Sequence, residues 1–271
     1  MEITAAEVMK LRKATNAGMM DCKHALQEAE GDFNKAVDII RKKGLAIANK
    51  RADRDANQGC VLAKTDGKSA VVVSLNCETD FVAQNAGFIA FTERVLDLAL
   101  ATLPADREAL LATKLDDRTV AEHISEQTGV IGEKLELAYY GKVVAGGCSI
   151  YIHPGNKLAT AVGFNKEVAA QVMKNVAMQI AAMSPIAVDK ADIPADVIEH
   201  ELEIGRGKAQ EEGKPAEMWD KIAQGRLNKF YQEATLLNQT FEQDGKITVR
   251  EYLQGVDKSL SVSGFLRFSL G

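Results

Sequence analysis

The chain lacks a Gly-x-x-x-x-Gly-Lys-Ser/Thr loop, so no sequence signal places a nucleotide phosphate on it. It has four cysteines, Cys22, Cys60, Cys77 and Cys148, and none form a Cys-x-x-Cys pair. That spacing favours neither zinc nor dithiol chemistry, and small buried thiols are the plain reading. No apolar run reaches membrane-spanning length, and no charged-then-apolar leader opens the sequence, so a cytoplasmic protein is expected. A basic excess is also missing. The net charge over 271 residues is −5, whereas neutralising nucleic-acid phosphates needs a basic surface. Arg41-Lys42-Lys43 and Lys50-Arg51 read instead as a helix end and a solvated linker. Four histidines, His24, His123, His153 and His200, stand among polar helical or turn residues. A Cys77–His pair is the one nucleophile arrangement to consider, and no local signature supports it.

The residues present make an ordinary folding balance, 46% hydrophobic and 26% charged. Thr4 and Glu7 have capping-box spacing, which starts a helix at Ala5. Asn16-Ala17-Gly18 breaks it, and a second helix runs from near Met19 to Gly31. Asp32 can cap a third, which passes Ala36, Val37, Ile39 and Ile40 and stops at Gly44 behind three basic residues. Three short helices in about forty residues approach the lower size limit for a freestanding core. The charged stretch from Asn49 to Gln58 then reads as a mobile linker, helical in part.

Beyond it one pattern occurs twice. Gly59-Cys60-Val61-Leu62-Ala63, the turn Thr65-Asp66-Gly67-Lys68 and the run Ala70 to Leu75 form a hairpin, and a helix carrying Phe88, Phe91, Val95 and Leu98 follows. Gly147-Cys148-Ser149-Ile150, the turn His153-Pro154-Gly155-Asn156 and the run Leu158 to Phe164 repeat it, followed by a helix from about Val168 to Met183. Between the copies, Arg118 to Gln127 is helical, Gly129 to Gly132 interrupts, and Glu133 to Leu137 is extended. Residues 186–236 are an insertion. One helix there starts after Pro194, Gly213-Lys214-Pro215 breaks it, and a second carries Trp219, Ile222, Ala223, Leu227 and Phe230 back as an antiparallel hairpin. Thr248 and Glu251 cap a short helix from Val249, and alternation from Val262 to Leu270 gives a half-buried final strand.

The expected architecture is α+β. Residues 1–44 form a three-helix partner-binding module of ubiquitin-associated-like shape, and 45–58 form a linker. Residues 59–140 are a core N-subdomain and 141–271 a core C-subdomain, with the helical hairpin inserted at 186–236. Within this frame Phe81 is unusual. It follows the buried run and stands beside an acid at a strand end, where loops are surface segments. An aromatic there either folds back as a core plug or faces a partner. Thr79 and Asp80 are both ordinary helix caps. Adjacent Met19 and Met20 point about 100° apart on a helix, so one buried and one exposed is the plain outcome. A soft apolar contact surface is the functional one.

Three segments resemble the elongation factor Ts family: Leu11-Arg12 with Thr15 and Gly18-Met19-Met20-Asp21-Cys22-Lys23-His24-Ala25-Leu26; Cys77-Glu78-Thr79-Asp80-Phe81-Val82-Ala83; and Val176-Ala177-Met178-Gln179-Ile180-Ala181-Ala182. They occur in the family's order and cover nearly the whole chain. The resemblance implies a translation factor that performs no covalent chemistry and needs no cofactor or metal of its own. Its partner would be elongation factor Tu, with neither nucleic acid nor membrane contacted directly. Asp80 and Phe81, flanked by Thr79 and Val82, would be a wedge that enters near the partner's Mg²⁺ and nucleotide site, releases GDP and holds the empty partner until GTP binds. Arg12, Met19, Met20 and Lys23 would touch the partner's nucleotide-binding domain. Asn175 and Gln179 stand where many relatives carry histidine, and are kept as partner-binding candidates beside the plain reading of a polar rim on a core helix. The helical hairpin would be a coiled-coil protrusion, and a homodimer through it would give a heterotetramer. The segment at Ala138-Tyr139-Tyr140 lacks a basic pair common in relatives, and the sequence ends at Gly271, without the C-terminal helical module that many carry. Two other readings stay open: a docking partner without exchange activity, and a Cys77-dependent enzyme.

Overall fold

The computed structural model describes residues 3–15 and 17–270; Met1, Glu2, Asn16 and Gly271 lie outside them. Helix α1 (Ala5–Thr15) starts as its capping box dictates. The Glu7 N–H donates to Thr4 Oγ1 at 3.3 Å, and the Thr4 N–H donates to Glu7 Oε2 at 2.8 Å. Helix α2 (Met19–Glu28) stops short of Gly31, which takes φ +87° and donates its N–H to the Leu26 carbonyl at 2.9 Å. Helix α3 (Phe33–Arg51) is capped by Asp32, which accepts from Lys35 N–H at 3.0 Å. Val8, Leu11, Cys22, Ala25, Leu26, Ala36 and Ile40 make the buried centre of these three helices.

The core begins with strand β1 (Gln58–Thr65), the turn through Gly67 at φ +94° and strand β2 (Ser69–Cys77). Short helix α4 (Asp80–Ala83) leads into α5 (Ala86–Thr102) and α6 (Arg107–Ala112). A two-residue ladder, β3 (Lys114–Leu115) with β4 (Arg118–Thr119), precedes α7 (Val120–Ile131) and strand β5 (Glu136–Val144). The second half has strands β6 (Gly147–Ile152) and β7 (Leu158–Phe164) and helix α8 (Ala170–Met183). Helices α9 (Ala195–Glu211), α10 (Ala216–Ala234) and α11 (Val249–Val256) follow, and strand β8 (Val262–Ser269) closes it. The two main sheets run β1-β2-β5 and β6-β7-β8, antiparallel throughout, with the same strand order in each half.

The sheets face each other. Val61, Ala63, Ala70 and Val72 of the first meet Cys148, Ala159 and Ala161 of the second, with Tyr139 stacked on Phe268 at 4.3 Å. The opposite face of the first sheet, through Leu62, Val71, Val73 and Leu75, packs on Phe88, Phe91 and Val95 of α5. The opposite face of the second, through Val162 and Phe164, packs on Met173, Val176 and Ile180 of α8. Residues 69–75 of β2 are therefore buried on both faces. This accounts for a continuous apolar run in an antiparallel strand, where one wet face would give alternation. In the insertion, α9 and α10 approach closely enough that a Cβ on Gly205 would lie 2.8 Å from Ala223 Cα. Arg206–Asp220 and Arg226–Glu212 pairs, both 2.7 Å, tie the two helices on the outside.

Two expectations about helix ends fail for one reason. Helix α3 does not stop at Gly44 but continues to Arg51, and α7 is not interrupted at Gly129 but runs to Ile131, with Gly132 at φ +77° as its stop. Gly44 and Gly129 are where the two helices touch. A Cβ built on Gly129 would lie 2.3 Å from Gly44 Cα. Glycine here removes the side chains that would hold the backbones apart, so it serves a crossing rather than an ending. Gly129→Ala should destabilise the protein by about 1–3 kcal/mol, as overpacking does. Gly207→Ala, in the interior of α9 with open space around it, should stabilise it by about 0.5–1 kcal/mol. Equilibrium urea unfolding of the two variants checks both signs.

Candidate functional site

The end of β2 builds the candidate site. Thr79, rather than Asp80, caps α4: its Oγ1 accepts the Val82 N–H at 3.4 Å. The same residue is held by Glu133, which accepts from Thr79 N–H at 3.0 Å and from Thr79 Oγ1 at 2.6 Å. Cys77 Sγ donates to the Thr79 carbonyl at 3.1 Å. Below the loop, Val82 is half-buried and Ala83 is buried against the core that holds Phe88 and Phe91. Phe81 is not a core plug. It is 85% exposed, on a one-turn helix anchored through Thr79 at its start and through Val82 and Ala83 beneath. Asp80 beside it is exposed as well.

Glu78 completes the anchoring, and its neighbours lie far away in sequence. Its side chain is only 15% exposed. Oε1 accepts from Arg51 Nη1 at 2.8 Å and from the Lys134 N–H at 2.6 Å, and Oε2 accepts from Arg54 Nη1 at 3.1 Å. Burial alone would raise this carboxyl. The Lys134 amide and the two guanidiniums overcome burial and hold it down at about 2. Arg51 is thus no solvated linker residue, and the segment expected as a mobile linker is helical to Arg51 and tied at both arginines. Glu78 lies within the Cys77–Ala83 segment, but nothing local distinguishes it from any acid before a helix.

The remaining candidates fall into two groups. Arg12 and Lys23 are exposed, and Met19 and Met20 are 50% and 62% exposed, so both methionines, not one, stand outside the small core. Asn175 and Gln179 lie on α8 in the other half. Asn175 is half-buried, donating to Tyr252 Oη at 3.0 Å and accepting from Gln171 Nε2 at 2.8 Å. Gln179 is only 2% exposed. Its amide donates to the Thr240 carbonyl at 3.0 Å and accepts the Glu242 N–H at 2.9 Å, so it joins α8 to the segment before α11 and is not available to a partner.

The family model described as Elongation factor TS matches residues 78–271. Proteins called Elongation factor Ts are similar along the whole chain. That of Porphyromonas gingivalis is 51% identical over 272 residues, covering 100% of this chain and 99% of the relative. That of Azobacteroides pseudotrichonymphae is 48% identical over 271 residues, with the same coverage. That of Christiangramia forsetii is 46% identical over 274 residues, again 100% and 99%. The chain belongs to the elongation factor Ts family.

The thiols of the chain are poorly placed for nucleophilic chemistry. All four cysteines are buried and unpaired in disulfides. Burial, with Glu93 nearby, pushes the Cys60 thiol up to about 11. Burial, with Glu133 nearby, pushes Cys77 up to about 12, far from thiolate formation at neutral pH. His123 differs from the polar helical position expected of it. It is buried, with Nε2 at 2.8 Å from the Leu115 carbonyl, and Phe91 is close by. No helix among the described residues is long and apolar enough to cross a membrane.

The Glu78 clamp has a pH signature. A carboxylate held below its ordinary value stabilises the fold above that value and loses this contribution as pH falls toward its folded-state value. The melting-temperature gap between wild type and Glu78→Gln should be full at pH 7 and should close as pH drops from the ordinary carboxylate range to about 2. Thermal melts across that range measure it.

Proposed function

We propose that this chain binds elongation factor Tu–GDP and promotes GDP release, inserting the Asp80–Phe81 loop near the partner's Mg²⁺ and nucleotide site. The observation that carries this reading is Phe81, a large apolar side chain 85% exposed on an anchored one-turn helix. An isolated exposed aromatic has no reason to be so well held. A wedge does, because each side chain or loop ordered only on binding subtracts from the interaction. Mg²⁺ joins protein to phosphate oxygens, so displacing the groups around it is an efficient way to weaken GDP. The factor must then bind empty partner more tightly than GDP-bound partner by the same ratio by which it weakens GDP. Each tenfold requires about 1.4 kcal/mol of differential binding. No covalent step is needed, and GTP completes the cycle by displacing the factor.

Arg12, Met19, Met20 and Lys23 form the second contact in this reading. Their exposure on the ubiquitin-associated-like module supports it, since methionine suits a soft apolar surface. The α9–α10 hairpin is proposed as the coiled-coil protrusion through which two copies pair, and the cytoplasm as the compartment where translation proceeds.

Release of a fluorescent GDP from elongation factor Tu with Mg²⁺ present tests the reading. Wild type should accelerate release strongly. Phe81→Ala should lose roughly 10- to 100-fold of that acceleration, the scale of a buried aromatic anchor. Met20→Ala should mainly raise the concentration of factor needed. A folded wild type that binds the partner yet leaves release unchanged would replace exchange by simple docking.

A further inference from the structure

We propose that Glu78 is the positioning residue of nucleotide exchange: its carboxylate couples the N-terminal module to the Phe81 loop, so that both contact surfaces meet the partner as one body. The inference rests on the reading of Phe81 as a wedge. Among the described residues Glu78 is the one carboxylate that accepts hydrogen bonds from two arginines, and it also takes a backbone N–H. The other ion pairs joining distant segments are mostly between exposed partners, as in Arg94–Asp116 or Lys64–Asp97, where solvent screens the attraction. The Arg51–Glu78 pair is largely enclosed.

What the clamp joins gives it a role. Arg51 is the last residue of α3, the helix against which α2, the bearer of the exposed Met19 and Met20, packs. Arg54 lies in the turn beyond it, and its carbonyl accepts from Lys134 Nζ at 2.9 Å. Residues 133 and 134 then act as a pair: Glu133 holds Thr79, and the Lys134 amide holds Glu78. Phe81 follows two residues after this knot. Two chain segments, residues 51–54 and 133–134, therefore fix the base of the wedge, and the first is continuous with the module that carries Met19 and Met20. Without the carboxylate, the loop samples orientations in which Phe81 cannot enter, and the rate of release falls in proportion to the competent fraction. Initial docking through the module is spared. Glu78 acts through Phe81 and is not itself required to touch the partner.

The experiment is stopped-flow release of fluorescent GDP from elongation factor Tu over a range of factor concentrations. Wild type, Glu78→Gln, Arg51→Gln, Phe81→Ala and the double variant Glu78→Gln/Phe81→Ala are compared, each checked by circular dichroism and thermal melting. Glu78→Gln should lower the maximal rate roughly fivefold or more and leave the half-saturating concentration within about twofold. Arg51→Gln, altered 27 residues away, should do the same, and it carries the test if Glu78→Gln proves unstable. Adding Glu78→Gln to Phe81→Ala should cost less than about twofold more, because the two act on one step. An unchanged maximal rate in Glu78→Gln, beside a slow Phe81→Ala, would overturn the positioning role and leave the wedge intact. A full extra loss in the double variant would also overturn it, by showing that Glu78 acts elsewhere. Wild-type exchange by Phe81→Ala would remove the wedge reading, and this inference with it.

Discussion

A glycine-on-glycine crossing is the contact from which the site's geometry follows. At Gly44 and Gly129 the backbones of α3 and α7 come together with no side chain between them. The crossing fixes α3 against the core and lets it continue seven residues past Gly44, to Arg51. Had α3 stopped at Gly44, Arg51 would have no defined path to Glu78, and the loop under Phe81 would lose one of its anchors. Neither glycine has a positive φ, so backbone freedom is not what the position asks for. It asks for the absence of a Cβ, at the usual helix-propensity cost of about 1 kcal/mol per glycine.

The core supports this in a different way. The two sheets meet through small side chains, Ala63, Ala70, Ala159 and Ala161 among them. Small residues bring the sheets close, and each hairpin turn accepts a hydrogen bond from a strand of the other sheet: Cys148 N–H donates to the Gly67 carbonyl at 2.8 Å, and Val61 N–H to the Asn156 carbonyl at 2.7 Å. Each sheet's outer face is covered by its own helix, so β2 has no wet side. The strand that ends at Cys77 is among the best-buried segments of the molecule, and the exposed part of the loop begins three residues later, at Asp80. A mobile strand could not present Phe81 in a fixed place.

Leaving Phe81 in water forgoes about 1.5–3 kcal/mol that burial of such a side chain supplies. The carboxylates of Glu78 and Glu133, each hydrogen-bonded through both oxygens, hold the loop beneath it. This is the arrangement expected where a surface residue is kept for binding: an apolar tip held by polar groups that have no freedom to follow it.

Local signals in the sequence carried much of this. Thr4–Glu7 and Thr248–Glu251 spacing, Asp32 before a helix and Asp66-Gly67 between strands each act over a few residues, so their outcome is written in the residues themselves. The repeated hairpin-and-helix order was legible for the same reason, as was the oddity of Phe81 beside Asp80. Tertiary packing decided the rest. Gly44 and Gly129 looked like helix stops because a crossing partner 85 positions away leaves no local mark. His123 and Gln179 looked like surface groups because polarity reports neither a buried carbonyl waiting for His123 nor the loop that Gln179 secures. Arg51 and Glu78 looked like ordinary charges until the fold brought them to 2.8 Å. Capping, turns and alternation are settled by neighbours in the chain, whereas burial, close approach and charge pairing depend on which segments meet in space.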